Sequence, residues 1–511
     1  MVQELSSDAV DRTPVIVGVA QVVERIGDPD YRARSAADLA AWAAERALAD
    51  AGAARDLRPL IESVSAIRTF ADSGAAPAPF GKPDKFPLAV ARRVGLTPRH
   101  AVLEAVGGQS PVTALVGLAD RIARGEVGAG MVFGAEAIST TRHLVALGET
   151  RDWAEHDEGE VEDRGAMRVL TSEGIAHGIV TAPIAYALLE NARRARLDLS
   201  REAYRAAMGE LFAPFSAVAA ANPFSSAASE PLSAEDIAAV TPRNRMIADP
   251  FPLKVVARDQ VNMGAALLVM SAAAAREAGI PESQWVFIHG AAQAEEPDIL
   301  DRADPGAYPA AAAALDAALG AAGKGIADMA VLDFYSCFPI AVFSTAIDHL
   351  GLAPGDPRGL TVTGGLPYFG GAGNGYSSHA IAGMVDRLRA QPGAFGLLGA
   401  NGGFQSKYAA LVLSTRPAPF PGWSVTQPAR AAPPPRAERA EGVGTIETYT
   451  IAYGRDGPTY AIAIGRLADG RRFIARSDDP ATVAEMEAHE PLGRQVTLSS
   501  DGERNAFTLT A

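Results

Sequence analysis

Residues 15–23 (VIVGVAQVV) form a short β-branched run, the pattern of a strand buried on both faces. Ser35 then opens an Ala-rich stretch to Ala51, with Leu39, Trp42, Ala43, Arg46, Ala47 and Asp50 at helical spacing and Gly52 as the stop. A second strand is predicted over 63–70. Residues 102–106 lead as a third into the loop Gly107-Gly108-Gln109-Ser110-Pro111, followed by a helix to about Arg124 and a strand over 129–135. Strands and helices that alternate in this way predict a parallel or mixed sheet covered on both faces.

The same order returns downstream. A strand is predicted over 286–289, an Ala-rich helix over 310–322, and a strand over 329–334 that ends in Tyr335-Ser336-Cys337-Phe338. Residues 360–363 lead into a glycine-rich loop, 364–375, then a helix to Arg389 and a last strand over 394–399. A duplicated α/β unit, about 15–136 and 286–401, is the economical reading.

Five segments follow from this pattern. Residues 13–148 and 246–280 make the first half. Residues 149–245 are a charge-rich insertion with helical stretches at 182–196 and 200–212, of the kind that covers a ligand site. Residues 281–415 make the second half, and the Pro-rich stretch 416–441 reads as an extended linker. Residues 442–511 alternate in period two between turns at Asp456-Gly457, Asp469-Gly470 and Asp501-Gly502, which predicts a small all-β barrel or sandwich. A five-stranded OB-like barrel is one form it could take.

Composition narrows the function. A chain of 511 residues exceeds one ordinary core. Net charge is −14, from 60 acidic against 46 basic residues, which disfavours nucleic acid or an anionic membrane as partner of the whole chain. Cys337 is the single cysteine, so no intrachain disulfide or thiolate metal cluster forms, and a reducing compartment fits. The first 14 residues lack the basic start and apolar run of a signal peptide, and no apolar stretch reaches roughly 18 residues. The expectation is a cytoplasmic protein with no membrane partner.

Three motifs carry a resemblance: VIVGVAQ near the start, LDFYSCFP at 332–339, and TGGLPYFGGAGNGY at 363–376. Over about 14–415 the chain resembles the thiolase superfamily, in particular the divergent acetyl-CoA acetyltransferase or thiolase-like protein type 1 branch, which has an additional C-terminal domain. The resemblance implies an α/β fold, a duplicated αβαβα sandwich with a lid-like loop domain. It also implies CoA or acyl-CoA as substrate or ligand, no tightly bound cofactor, no metal, acyltransferase-type activity in lipid metabolism, and a monomer or homodimer. A local basic groove for one CoA is compatible with the acidic net charge.

The family's chemistry needs a nucleophilic cysteine at a helix N-terminus, with a second cysteine and a histidine as acid and base. The matching positions here are Gly108, Ala400 and Gly371. An asparagine that helps hold the oxyanion-hole water becomes Tyr335. Thiolysis through two cysteines is excluded, because the chain has only Cys337.

Other groups could act instead. Tyr335 could donate to an enolate oxygen or move a proton, or simply plug the vacated pocket. Ser110 could be a nucleophile or an N-cap. Cys337 could be a nucleophile or a small core residue. His379 could replace the lost histidine or serve structure, since helical residues past the first turn point away from the loop. Gly108, Gln109, Tyr368, Gly371, Asn374, Tyr376 and Asn401 are candidate pocket residues. Arg245, with Arg243 and Lys254, could meet phosphates of CoA or be surface charge. The segment Asn262-Met263-Gly264-Ala265-Ala266 resembles the thiolase Asn-Asp-Gly-Ala-Ala and is expected to be structural.

Two functions remain open: an enzyme acting on acyl-CoA without a covalent cysteine intermediate, of retro-aldol type, or a non-catalytic acyl-CoA or lipid-binding protein. Nucleic-acid binding by the terminal β-domain is a distant third, because its aromatics (Tyr449, Tyr453, Tyr460, Phe473, Phe507) serve equally well as core.

Overall fold

The computed structural model describes residues 11–165, 171–227 and 230–510, so most of the polar start lies outside the described residues. The first half contains β1 (Pro14–Val23), α1 (Ala36–Asp50), β2 (Ser63–Ala66), α2 (Phe86–Val94), β3 (His100–Leu103), α3 (Ser110–Ala123), β4 (Ala129–Ala137) and α4 (Ile138–Leu147). The insertion adds β5 (Glu162–Asp163), α5 (Ala182–Arg196) and α6 (Arg201–Ala221), and β6 (Met246–Ala248) and β7 (Phe251–Pro252) follow directly after it. The first half then resumes with β8 (Asn262–Ser271). The second half holds β9 (Val286–Glu295), α7 (Pro309–Ala321), β10 (Met329–Phe334), α8 (Tyr376–Ala390), β11 (Phe395–Gly402) and β12 (Lys407–Ser414).

The duplication is visible in strand order. One half runs β1-β8-β4-β2-β3 and the other β9-β12-β11-β10, and the two join where β1 pairs with β9. In both halves a parallel pair (β4 with β2, β11 with β10) is followed by antiparallel pairs. Two glycines show the equivalence residue by residue. A Cβ on Gly18 of β1 would lie 2.2 Å from the Ala47 carbonyl oxygen of α1, and one on Gly290 of β9 would lie 2.0 Å from that of Ala318 in α7. Each half therefore seats its outer helix directly on strand backbone, an approach only glycine permits. The middle layer is α3 and α8, whose Val112, Leu115, Ile122, Ile381, Val385 and Leu388 share one buried core.

Several elements differ from expectation. The strand predicted over 63–70 stops at Ala66. Residues 360–363 form no strand, because Asp333 replaces the sheet partner: its Oδ2 accepts from Val362 N (2.8 Å) and Thr361 Oγ1 (3.1 Å). β8 and β12, both buried along their length, were not read as strands. β8 forms where only a structural motif was expected.

After β13 (Ser424–Val425), the C-terminal region forms β14 (Gly442–Tyr453), β15 (Pro458–Leu467), β16 (Arg472–Ser477), α9 (Pro480–Ala488), β17 (Gln495–Ser500) and β18 (Asn505–Leu509). The order β15-β16-β18-β17-β14, with β14 pairing back to β15, closes a five-stranded barrel. α9 interrupts it, started by Asp479, whose carboxylate accepts from Thr482 N at 2.9 Å. Tyr449, Phe473 and Phe507 are core. β6 and β7 extend the sheet beyond β14. Asn191 of α5 donates to both Asp249 O and Tyr449 O at 2.9 Å, so insertion and barrel share a polar seam. Among the described residues no helix is long and apolar enough to cross a membrane.

Candidate functional site

The site forms where the C-terminal ends of β10 and β11 meet the N-termini of α3 and α8. β10 delivers Tyr335, whose N–H donates to Gly399 O at 3.0 Å. β11 delivers Asn401. The loops before the two helices are cross-tied. Asn374 Oδ1 accepts from Gly107 N (3.0 Å), Asn374 Nδ2 donates to Arg68 O (2.8 Å), and Ser377 Oγ donates to Gly108 O (2.6 Å).

The space in front of Gly108 is occupied from the opposite side. A Cβ on Gly108 would lie 2.3 Å from the Tyr335 hydroxyl oxygen and 2.5 Å from Asn401 O. Tyr335 packs edge-on against Tyr376, with ring centroids 5.2 Å apart. Burial raises the pKa of both phenols. Tyr376 shares a 2.5 Å hydrogen bond with Thr363 Oγ1, whereas none reaches the Tyr335 hydroxyl among the described residues. Ala400 is fully buried, and Gly371 donates its N–H to Arg258 O at 2.7 Å.

Cys337 is a poor nucleophile. Burial pushes its thiol up to about 12, against hydrogen bonds from Tyr186 and from Asn401, whose Nδ2 stands 3.6 Å from the sulfur. Two tyrosines not foreseen from sequence clamp the same asparagine. Its Nδ2 donates to Tyr186 Oη (2.6 Å) and its Oδ1 accepts from Tyr308 Oη (2.9 Å). Tyr186 stacks on Phe338 at 4.4 Å and donates to Gly403 O. At helical spacing in α5, Tyr186 carries no signal beyond that of a core position.

His379 is enclosed between β1 and the glycine loop: Nδ1 stands 3.1 Å from Gln21 Oε1, its ring lies edge-on to Phe369 with centroids 5.5 Å apart, and burial lowers its pKa to about 3. Ser110 is the first residue of α3, not its cap. Gln109 holds the cap position, and the Ser110 hydroxyl donates back to Ala105 O. The Gln109 side chain lies between two glycines, since a Cβ on Gly107 or Gly402 would fall 2.0 or 1.8 Å from its Oε1. Tyr368 is buried edge-on against Phe212, 6.0 Å between centroids. Arg245 donates to Met246 O and Gly454 O at the seam with the barrel, away from this cluster.

Glu136, at the end of β4, was not anticipated as a site residue. Its Oε1 accepts from Phe70 N at 2.7 Å and lies 2.2 Å from where a Cβ on Gly373 would project. Burial raises its carboxyl to about 8, and the charges of Asp72 and Asp259 add to the rise.

A family model described as the thiolase-like protein type 1 additional C-terminal domain matches residues 426–503. The chain is 42% identical to a monomeric SCP2-thiolase-like protein type 1 from Mycobacterium smegmatis, with a TM-score of 0.82, over 98% of this chain and 99% of that one. The chain belongs to the SCP2-thiolase-like protein type 1 family. The same fold extends to the dimeric peroxisomal thiolase of Saccharomyces cerevisiae (14% identity, TM-score 0.58, 80% of this chain and 98% of that one). It extends also to the Ltp2-ChsH2(DUF35) aldolase (19%, 0.54, 79% and 98%). A search of curated proteins found no match. In this chain the loops that lead into α3 and α8 are tied together around the Tyr335 hydroxyl.

Proposed function

We propose that the protein is a cytoplasmic, monomeric acyl-CoA-binding member of its family that does not form a cysteinyl intermediate. The observation that carries this reading is the Tyr335 hydroxyl, 2.3 Å from the Cβ direction of Gly108, where a nucleophile's side chain would start. The buried thiol of Cys337 and the neutral, inward-facing His379 support it, because neither is poised to attack a thioester or move its proton. The test is calorimetry with acetyl-CoA, a long-chain acyl-CoA and free CoA, each mixture then analysed for product by mass spectrometry. Binding without conversion is the expected result. Absence of binding, or an acyl-enzyme adduct, would overturn the reading.

One observation favours a second reading. The Tyr335 hydroxyl has no hydrogen-bond partner among the described residues, which leaves it free to donate to a thioester enolate in a retro-aldol cleavage. The Ltp2-ChsH2(DUF35) protein is an aldolase of the same fold, a likeness that extends to fold alone. Slow release of a shortened thioester, lost in Tyr335→Phe, would replace the first reading with this one.

A further inference from the structure

Behind the glycine loop, Glu136 also forms part of the wall of a cleft of about 100 Å³. The walls are largely apolar: Pro77, Phe80, Phe86, Ile138 and Trp153 line it, with small alanines between. Trp153 braces one side, its backbone N–H donating to Phe80 O (2.7 Å) and its ring edge-on to Phe80 at 5.2 Å.

The charged residues that face the cleft are matched to one another. Asp72 accepts from Thr69 Oγ1 (2.8 Å) and pairs with Lys82, and Arg142 makes a two-point pair with Asp259 (2.7 and 3.1 Å). Glu136 is the exception. Phe70 N–H satisfies Oε1, but no hydrogen bond reaches Oε2 among the described residues. A carboxyl that is 4% exposed and half-satisfied in an apolar wall has lost water without gaining a full set of partners.

We propose that this cleft binds a small, uncharged, mostly apolar molecule whose single acceptor oxygen, a carbonyl or ether, takes a hydrogen bond from the Glu136 carboxyl. The volume suits one small ring or a short branched chain, since apolar cavities of this order hold such ligands. Oε1 is already an acceptor for Phe70 N–H, so the acid's proton sits on Oε2. Burial keeps the carboxyl protonated at neutral pH, and Asp72 and Asp259 reinforce this while the Phe70 N–H opposes it. A carbonyl oxygen fits that donor, whereas a carboxylate ligand would place its charge in a largely apolar cleft whose two cations, Lys82 and Arg142, are already paired. The inference does not depend on CoA binding, because it concerns a different cleft and a different ligand.

The test is ¹⁹F NMR titration of the full chain at pH 6.5 with 4-fluoroacetophenone, and with fluorobenzene as the ring without an acceptor. Saturable binding of the ketone, at least several-fold tighter than fluorobenzene, is expected. Ala76→Phe fills the cleft from a half-exposed loop position and should abolish binding at an unchanged melting temperature. Glu136→Gln keeps a donor and should retain most of the affinity, while raising the pH of the parent protein to 9.5 should weaken it several-fold. The proposal is overturned if no saturable shift appears, if fluorobenzene binds equally well, or if Ala76→Phe binds the ketone as the parent does.

Discussion

The hydroxyl of Tyr335 and the α-carbon of Gly108 come from opposite halves of the duplicated chain, yet they meet so closely that no side chain fits at Gly108. A Cβ there would stand 2.3 Å from that hydroxyl and 2.5 Å from Asn401 O. Tyrosine and glycine are therefore coupled: each is tolerated because of the other.

Gly108→Ala is accordingly expected to destabilise the protein by about 1–3 kcal/mol, the usual cost of overpacking a tight core. In a Tyr335→Ala background the same change should cost less, leaving a remainder set by the Asn401 backbone, which cannot retreat as a side chain can. Denaturant unfolding of the two single variants and the double variant measures the coupling. Additive costs would show that the two residues do not share this space.

The thiol of Cys337 is expected to be inert in the folded protein. It is 8% exposed, and burial pushes it up to about 12, so at pH 8 the thiolate fraction is about one in ten thousand. Reaction with a disulfide reagent should therefore run at the rate of unfolding and accelerate with denaturant. Rapid labelling of the native protein would mean that the site opens.

Stability should fall as pH rises across neutrality. Glu136 titrates at about 8 and Glu190 at about 7, both raised by burial from an ordinary value of 4.5. A group whose folded pKa is raised holds its proton longer in the native state. Its stabilising effect is complete below about 4.5 and is lost as pH climbs through the folded value. Phe70 N–H, Asp72 and Asp259 surround Glu136; Tyr204, Arg193, Asp348 and the Ile340 N–H surround Glu190. Glu136→Gln should flatten the profile, gaining on the order of 4 kcal/mol over the parent at pH 9 relative to pH 5. Parallel profiles for parent and variant would place the ionisation of Glu136 elsewhere.

The duplicated sandwich was legible because its elements follow simple periodicities: the β-branched run of β1, the Ala-rich α1 behind Ser35, and the same order repeated after residue 286. β8 and β12 escaped notice because a strand buried on both faces shows no alternation, and Ala-Ala-Leu-Leu reads equally well as helix. That the chain holds a single cysteine was legible from residue content alone, but not what surrounds Gly108. Whether Tyr335 reaches Gly108 depends on the meeting of two loops 227 positions apart in the numbering, and the clamp on Asn401 comes from Tyr186 in the insertion. Glu136 passed unremarked because a lone acid at a strand end has no signature until the fold buries it.

The seam between insertion and barrel makes the last prediction. Arg194 of α5 is 1% exposed and reaches across to Glu490 with two hydrogen bonds (2.7 and 2.8 Å), while also donating to Asn191 Oδ1 and Leu199 O. Arg201 lies beside it, donating to Tyr449 Oη and to carbonyls at the end of α9. With Tyr449 Oη at 3.2 Å as the fifth, a guanidinium that satisfies five acceptors from one buried position cannot be removed without leaving several of them bare. Arg194→Ala should therefore cost about 2 kcal/mol or more, with Glu490 limiting the loss because water can still reach it. The more telling variant is Arg194→Lys, which keeps the charge but not the planar fork, and should recover less than half of the deficit. If the barrel were an independent appendage, both substitutions would leave the main unfolding transition unmoved. The shared seam predicts instead that barrel and sandwich unfold together and shift together, as followed by tryptophan emission and by limited proteolysis within residues 416–441.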